Sequence, residues 1–236
     1  MYMFYLKNIL ISKYFIILYL LGIYILTIIN NIGFYNDDEH FQILEPVAYL
    51  LGLNDFLIDD RSGLYWEWHS LHRVRPWLQP NLYYLIINLL KNFGLNDPFI
   101  WNQSIRFFNG ILGIGSVLYL FYSLKDYFFK NNNLYIYILF FSFWFFPFLH
   151  TRTSSESLSI ILFCFAFSFL LKFFDDSKIN YSKSIVIFFG FILGLSVVVR
   201  PQMLFTIIPI FLWIVFYRLS FKKIFLVSVG FLLSIF

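Results

Sequence analysis

Carboxylates, arginines and histidines stand in short clusters in a sequence that otherwise carries little charge. Asn36, Asp37, Asp38, Glu39 and His40 run together after the first long apolar stretch. Glu67 lies between Trp66 and Trp68, followed by His69, His72, Arg73, Arg75 and Gln79. Further along come Arg106, then His150, Arg152 and Glu156 in a stretch rich in serine and threonine, and finally Arg200 with Gln202. A carboxylate held beside a hydroxyl group can take its proton as a general base. Arginine forks pair bidentately with phosphate or carboxylate, and cations offset negative charge developing on a leaving group. Together these groups suit transfer from a phosphate-linked donor. Each cluster also has a plainer account. An Asn or Asp can cap a helix, the tryptophans can anchor an interface, and Arg152 and Glu156, four apart, can pair on one helix face. Arg200 before Pro201 can be a snorkelling turn residue.

The elements that must position these groups are membrane helices. The 236 residues are 60% hydrophobic and 24% aromatic, with 34 Phe, and only 13% are charged, against about 25% in soluble domains. Apolar windows of about 20 residues fall near 14–32, 105–124, 133–150, 155–172, 184–199 and 201–217. A seventh begins near Ile224 and reaches Phe236 without a polar exit, so the chain reads as the N-terminal part of a longer protein or as a short homologue. The stretch 80–93 is apolar but only about 14 residues long, which favours an interfacial or re-entrant helix. No small-residue cleavage site follows the first run, which therefore reads as a retained span. The expected fold is all-α: a polytopic integral membrane helical bundle of about six complete spans plus a truncated seventh. It forms a single domain over 1–236, with a long helical first outer loop at 33–104. The net charge of +4 is dispersed between apolar runs and gives no basic face for nucleic acid. Cys164, the single cysteine, reads as a small core residue and allows no intramolecular disulfide.

Lysine and arginine accumulate in cytoplasmic loops. With the N-terminus inside and 80–93 not spanning, ten of the 17 basic residues lie inside and seven outside. Were 80–93 to span, six would lie inside and eleven outside, so the first arrangement is preferred. It places nine of ten Lys inside, but six of seven Arg and all four His outside. Arginine on the outer face runs against the topology rule, and ionisable groups at membrane depth are by default functional. That outer face is periplasmic in a bacterial inner membrane or lumenal in an endoplasmic reticulum. Its loop opens with a helix-spaced stripe, Phe41, Leu44, Val47, Ala48 and Leu51, ending at Gly52 and expected to lie flat on the membrane, with a kink at Pro46. The spans read as clean between their ends. Transporters usually carry ionisable groups near the midplane, so a transporter or channel with a charged outer vestibule is the second reading.

The residues Asp38-Glu39-His40-Phe41-Gln42-Ile43-Leu44-Glu45, Trp66-Glu67-Trp68, Arg73-Val74-Arg75-Pro76-Trp77-Leu78-Gln79-Pro80, Arg106, Thr151-Arg152-Thr153-Ser154-Ser155-Glu156 and the stretch 194–202 occur in this order. Together they resemble the family 22 glycosyltransferases of the GT-C fold, the mannosyltransferases of GPI-anchor and N-glycan assembly and their bacterial relatives. The similarity runs from the first span to about residue 210. It implies a first outer loop packed over a helical bundle, and inverting transfer of mannose from polyprenyl- or dolichol-phosphate mannose to a glycan or glycolipid acceptor. It also implies a catalytic base at Asp38 with Glu39 as its neighbour. The family pattern is close to His-Pro-Asp-Glu, whereas Asn36 and Asp37 stand here, so Asp37 is a candidate base as well. Arg75, Arg152 and Arg200 fall to the donor phosphate, with Arg106 and His72 beside them. Glu67, His40, Gln79, Glu156 and Gln202 are left to hold the acceptor or orient the arginines. No metal or other cofactor is implied. A GT-C transferase for another sugar is the alternative within the fold.

Overall fold

Backbone in hydrocarbon must satisfy its own hydrogen bonds, and the apolar stretches do so as helices. In a computed structural model, which describes residues 13–30, 39–53, 76–128, 145–175, 181–217 and 221–235, every regular element is helical. The order is α1 (Lys13–Asn30), a π turn (His40–Leu44) running into α2 (Glu45–Leu50), α3 (Leu78–Asn92) and α4 (Pro98–Phe128). Then follow α5 (Phe145–His150), α6 (Ser155–Asp175), α7 (Lys183–Val199), a 3-10 turn (Pro201–Met203) leading into α8 (Leu204–Tyr217), and α9 (Phe221–Leu233). Two stretches, Pro98–Leu124 and Ser155–Phe173, are long and apolar enough to cross a membrane by length and composition. Leu18–Asn30, Lys183–Val199 and Pro201–Trp213 are apolar but shorter. Leu26, Phe188, Phe205 and Phe216 lie exposed on outer helix faces; such a surface calls for lipid or another apolar partner to cover it.

The second span begins earlier than its apolar window suggested. Asp97 accepts a hydrogen bond from the Phe99 amide at 2.8 Å, starting α4 at Pro98 and not at 105. Of the expected third span, only Phe145–His150 falls among the described residues.

The core centres on α6, which packs against α4 on one side and α7 on the other, while α7 packs closely on α9. Ala166, Phe169 and Phe173 of α6 meet Val186 and Leu193 of α7 and Val227 of α9. The Phe169 and Phe189 rings stack with centroids 4.0 Å apart. Between helices in lipid, close approach rests on small residues. Gly190 and Gly194, one turn apart on α7, face α9, whose Gly230 faces back. A Cβ on Gly190 would strike the Val227 carbonyl, and one on Gly230 the Ile187 carbonyl. Buried serines use the same economy of space. Ser116, Ser123 and Ser196 each donate to a carbonyl of their own helix, three or four residues back, so none of these three hydroxyls is stranded in the apolar interior.

The helix expected after the acidic cluster forms and stops at Gly52, whose φ is 70°. There the Gly52 and Leu53 amides donate to the Tyr49 and Ala48 carbonyls, each at 2.9 Å. The face it buries differs from expectation: Ile43 and Val47 pack against Tyr83 and Ile87 of α3 and Trp101 and Ile105 of α4. Gln42 and Pro46 are buried on the same side, whereas Phe41, Leu44, Ala48 and Leu51 are half-buried. The π turn is the reason. The Glu45 amide bonds the His40 carbonyl five residues back, and each extra residue rotates a helical face by about 100°. The wider turn also admits Pro46, which lacks an N–H and in a tighter helix would clash with the carbonyl four residues earlier.

Since the α7–α9 contact is backbone against backbone, Gly190→Val should force the two helices apart and cost about 1–3 kcal/mol. A lowered thermal unfolding midpoint in detergent would show it; an unchanged midpoint would mean the helices are not in this contact.

Candidate functional site

The turn at 151–154 is threaded into the polar interior where α3, α4 and α6 come together. Glu39, immediately before the π turn, reaches it from the side. Its carboxylate has 0% exposed surface and accepts two hydrogen bonds from one residue, the Thr153 amide and the Thr153 hydroxyl, both at 2.7 Å to Oε1. Its other oxygen stands 3.6 Å from Nη1 of Arg152. A carboxylate this far from water is tolerable only when paired and hydrogen-bonded. Arg106 lies within electrostatic reach of both Glu39 and Arg152. Arg152 also sets its guanidinium 4.4 Å from the Phe148 ring centroid, a cation–π contact strengthened by burial.

Two side chains hold the backbone of the same turn from the opposite side. Asn109 of α4 donates through Nδ2 to the Arg152 carbonyl at 2.8 Å. Gln79 of α3 donates through Nε2 to the Thr153 carbonyl at 2.8 Å and to the Ser154 carbonyl at 3.3 Å. Both amides also donate to the Tyr83 hydroxyl, at 2.6 Å from Asn109 and 2.9 Å from Gln79. Burial pushes the Tyr83 phenol well above its usual range, so it stays neutral. On the α5 side, His150 Nδ1 shares a 2.6 Å hydrogen bond with the Tyr24 hydroxyl of α1. Gly110 and Gly113 of α4 leave room for Thr151 and for the His150 ring.

The turn ends by capping α6: the Ser157 amide donates to Ser154 Oγ at 3.3 Å. Ser155 and Glu156, at the start of that helix, take Arg200 from the end of α7. Nη1 of Arg200 donates to Ser155 Oγ at 3.0 Å and Nη2 lies 2.6 Å from the Glu156 carboxylate. With 20% of its side chain exposed, Arg200 is more open than Arg152 at 7%.

The candidate residues therefore separate. Glu39, Arg152, Gln79 and Arg106 sit inside the protein around one turn, with Glu156 and Arg200 at its outer end. The pairing of Arg152 with Glu156 on one helix face does not occur. Arg152 precedes α6, outside helical register, so each takes a partner from elsewhere in the chain. Arg106 stands eight residues inside α4 and is buried, not at the outer start of a span. His40 lies 3.0 Å from Glu45, a five-residue spacing that the π turn brings together. Gln202 is exposed in the 3-10 turn. Asp37, Asp38, Glu67, His72 and Arg75 lie outside the described residues. Among the described residues no three His, Cys, Asp or Glu side chains gather as metal ligands.

Sequence reasoning missed Tyr83, Asn109 and Thr153. Asn109 lies buried well inside α4 beside Arg106 and, being non-ionisable, fell outside the search of the spans for ionisable groups. A single amide in an apolar window barely lowers its mean, yet a polar group at that depth was the available signal.

The profile of the Alg9-like mannosyltransferase family matches residues 14–236. Over 99 residues, 42% of this chain, the sequence is 32% identical to the mannosyltransferase APTG1 of Arabidopsis thaliana. The match spans only 16% of that relative's length. No solved structure matches the chain.

A Cβ on Gly113 would stand 2.5 Å from the Cβ and Cγ of His150. Gly113→Val should therefore expel the imidazole, break its bond to Tyr24 and destabilise the protein by about 1–3 kcal/mol. Thermal unfolding compared with Gly22→Val, where a Cβ meets nothing within 4 Å, checks this: the first change should lower the midpoint more than the second.

Proposed function

The chain belongs to the Alg9-like mannosyltransferase family, and from that premise we propose that it catalyses inverting transfer of mannose from a polyprenyl-phosphate donor to a hydroxyl of a glycan or glycolipid acceptor. Asp38 removes the proton from the acceptor hydroxyl, whose oxygen attacks the anomeric carbon. The bond from that carbon to the phosphate oxygen breaks, its electron pair leaves with the polyprenyl phosphate, and the proton stays on Asp38. Arg200 and Arg75 grip the phosphate and offset its growing charge. Arg152 and Arg106 act from behind them as fixed positive charge. Glu67 and Gln202 are left for the acceptor.

The observation that carries this reading is the anchorage of Glu39 on Thr153. Through it the residue next to the proposed base is tied to the turn whose far end engages Arg200. Base and phosphate grip would then be held by one structural unit, as a near-attack geometry requires. An apolar groove of about 350 Å³ lined by Leu204, Ile208, Phe211 and Phe231 lies along α8, the helix that follows Arg200, and suits an isoprenoid tail. The reading further takes the bundle as about six spans, N-terminus cytoplasmic, with the site facing the periplasm or the lumen of the endoplasmic reticulum.

In a transfer assay with the full-length protein and polyprenyl-phosphate mannose, Asp38→Asn should reduce turnover by about 10²–10⁴-fold, the usual contribution of a positioned base. Asp37→Asn should keep the greater part of it. Near-normal turnover in the Asp38 variant would overturn the assignment.

A further inference from the structure

We infer that Tyr83 is a positioning residue for the donor-phosphate end of the site, acting through Gln79 and Asn109 on the carbonyls of Arg152, Thr153 and Ser154. The inference rests on the transferase reading above.

A primary amide has two hydrogens fixed in one plane, and its terminal torsion is broadly two-fold. Facing a carbonyl, which only accepts, it must present its NH2, but the aim of that NH2 is set by a second contact that takes its other hydrogen. Here the second contact is the Tyr83 hydroxyl. It accepts one hydrogen from Asn109 and one from Gln79. Each amide then has one hydrogen left, directed at the turn: at the Arg152 carbonyl from Asn109, and at the Thr153 and Ser154 carbonyls from Gln79. Three consecutive carbonyls are thereby aimed inward. All three side chains are buried, so water cannot substitute for a lost partner. Without the hydroxyl, the second hydrogen of each amide loses its acceptor, and the amide plane can turn away from the carbonyl it holds. The turn would then shift at Ser154 and Ser155, and Ser155 Oγ is what holds Nη1 of Arg200.

Glu39 engages the same turn through the Thr153 amide and hydroxyl, a contact that does not pass through Tyr83. Loss of the Tyr83 hydroxyl should therefore disturb the arginine end more than the base end. A tyrosine that merely filled space would not discriminate between the two substrates.

Tyr83→Phe keeps the ring in its packed place beside Ile43, Val47 and Ile105 and removes only the oxygen. In steady-state transfer by the full-length protein, with polyprenyl-phosphate mannose and a glycolipid acceptor varied in turn, the variant's KM for the donor should rise by about tenfold or more. Its KM for the acceptor should stay at the wild-type value, with cooperative thermal unfolding retained. An unchanged donor KM, or equal rises in both KM values, overturns the proposal while leaving the transferase reading intact. No transfer by the wild-type protein overturns that reading and this one with it. Should Tyr83→Phe fail to unfold cooperatively, Asn109→Ala, which releases the Arg152 carbonyl and leaves Tyr83 with Gln79, decides by the same donor-selective criterion.

Discussion

A carboxylate with no access to water has to be neutralised where it stands, and Glu39 meets that demand with Thr153 and Arg152. Much of the site's geometry follows from this. The segment before α2 is pinned to a turn 114 residues away in sequence. The π turn then faces Ile43 and Val47 toward α3 and α4. The turn, held from one side by a charge, is held from the other by neutral amides, and its end starts α6. Removing the carboxylate would leave Arg152 buried beside Phe148 without its anionic partner, which is the costly way to break such a pair.

Around that polar knot the bundle is assembled from contacts that need no charge. Stacked phenylalanines fill the space between α6 and α7, and glycines let α7 and α9 touch backbone to backbone. In hydrocarbon the packing of small residues does what the hydrophobic effect does in water. Glycine recurs for the same reason beside the site, where Gly110 and Gly113 let Thr151 and His150 approach α4. Core and site are thus continuous along α4 and α6.

The sequence made the ingredients legible, and the partners less so. Helix types and most limits followed from apolar windows, and Gly52 was readable as a stop because only a residue free to adopt positive φ ends a helix that way. Glu39, Gln79, Arg152, Glu156 and Arg200 stood out by type. Which of them would meet was hidden: Arg152 and Glu156 have the spacing of a helical pair, but the helix starts between them and each pairs elsewhere. The inward face of α2 was misread because one π turn alters the register that a 3.6-residue period assumes. Tyr83 and Asn109 were missed because single polar groups vanish in an average over an apolar helix. Their meaning lies in the three carbonyls they hold, and carbonyls leave no mark on a sequence.

On the transferase reading proposed above, an acidic segment and an arginine-bearing turn joined by Glu39 are what transfer from a lipid phosphate would need on one face. The most direct measurement is a double-mutant cycle on unfolding of the full-length protein in detergent, with Glu39→Gln, Arg152→Met and the pair. If the two side chains meet in the buried clamp, the double variant should be less destabilised than the sum of the singles, by about 0.5–3 kcal/mol. Strict additivity would mean that the acidic segment does not dock on this turn, and the site as built here would fall with it.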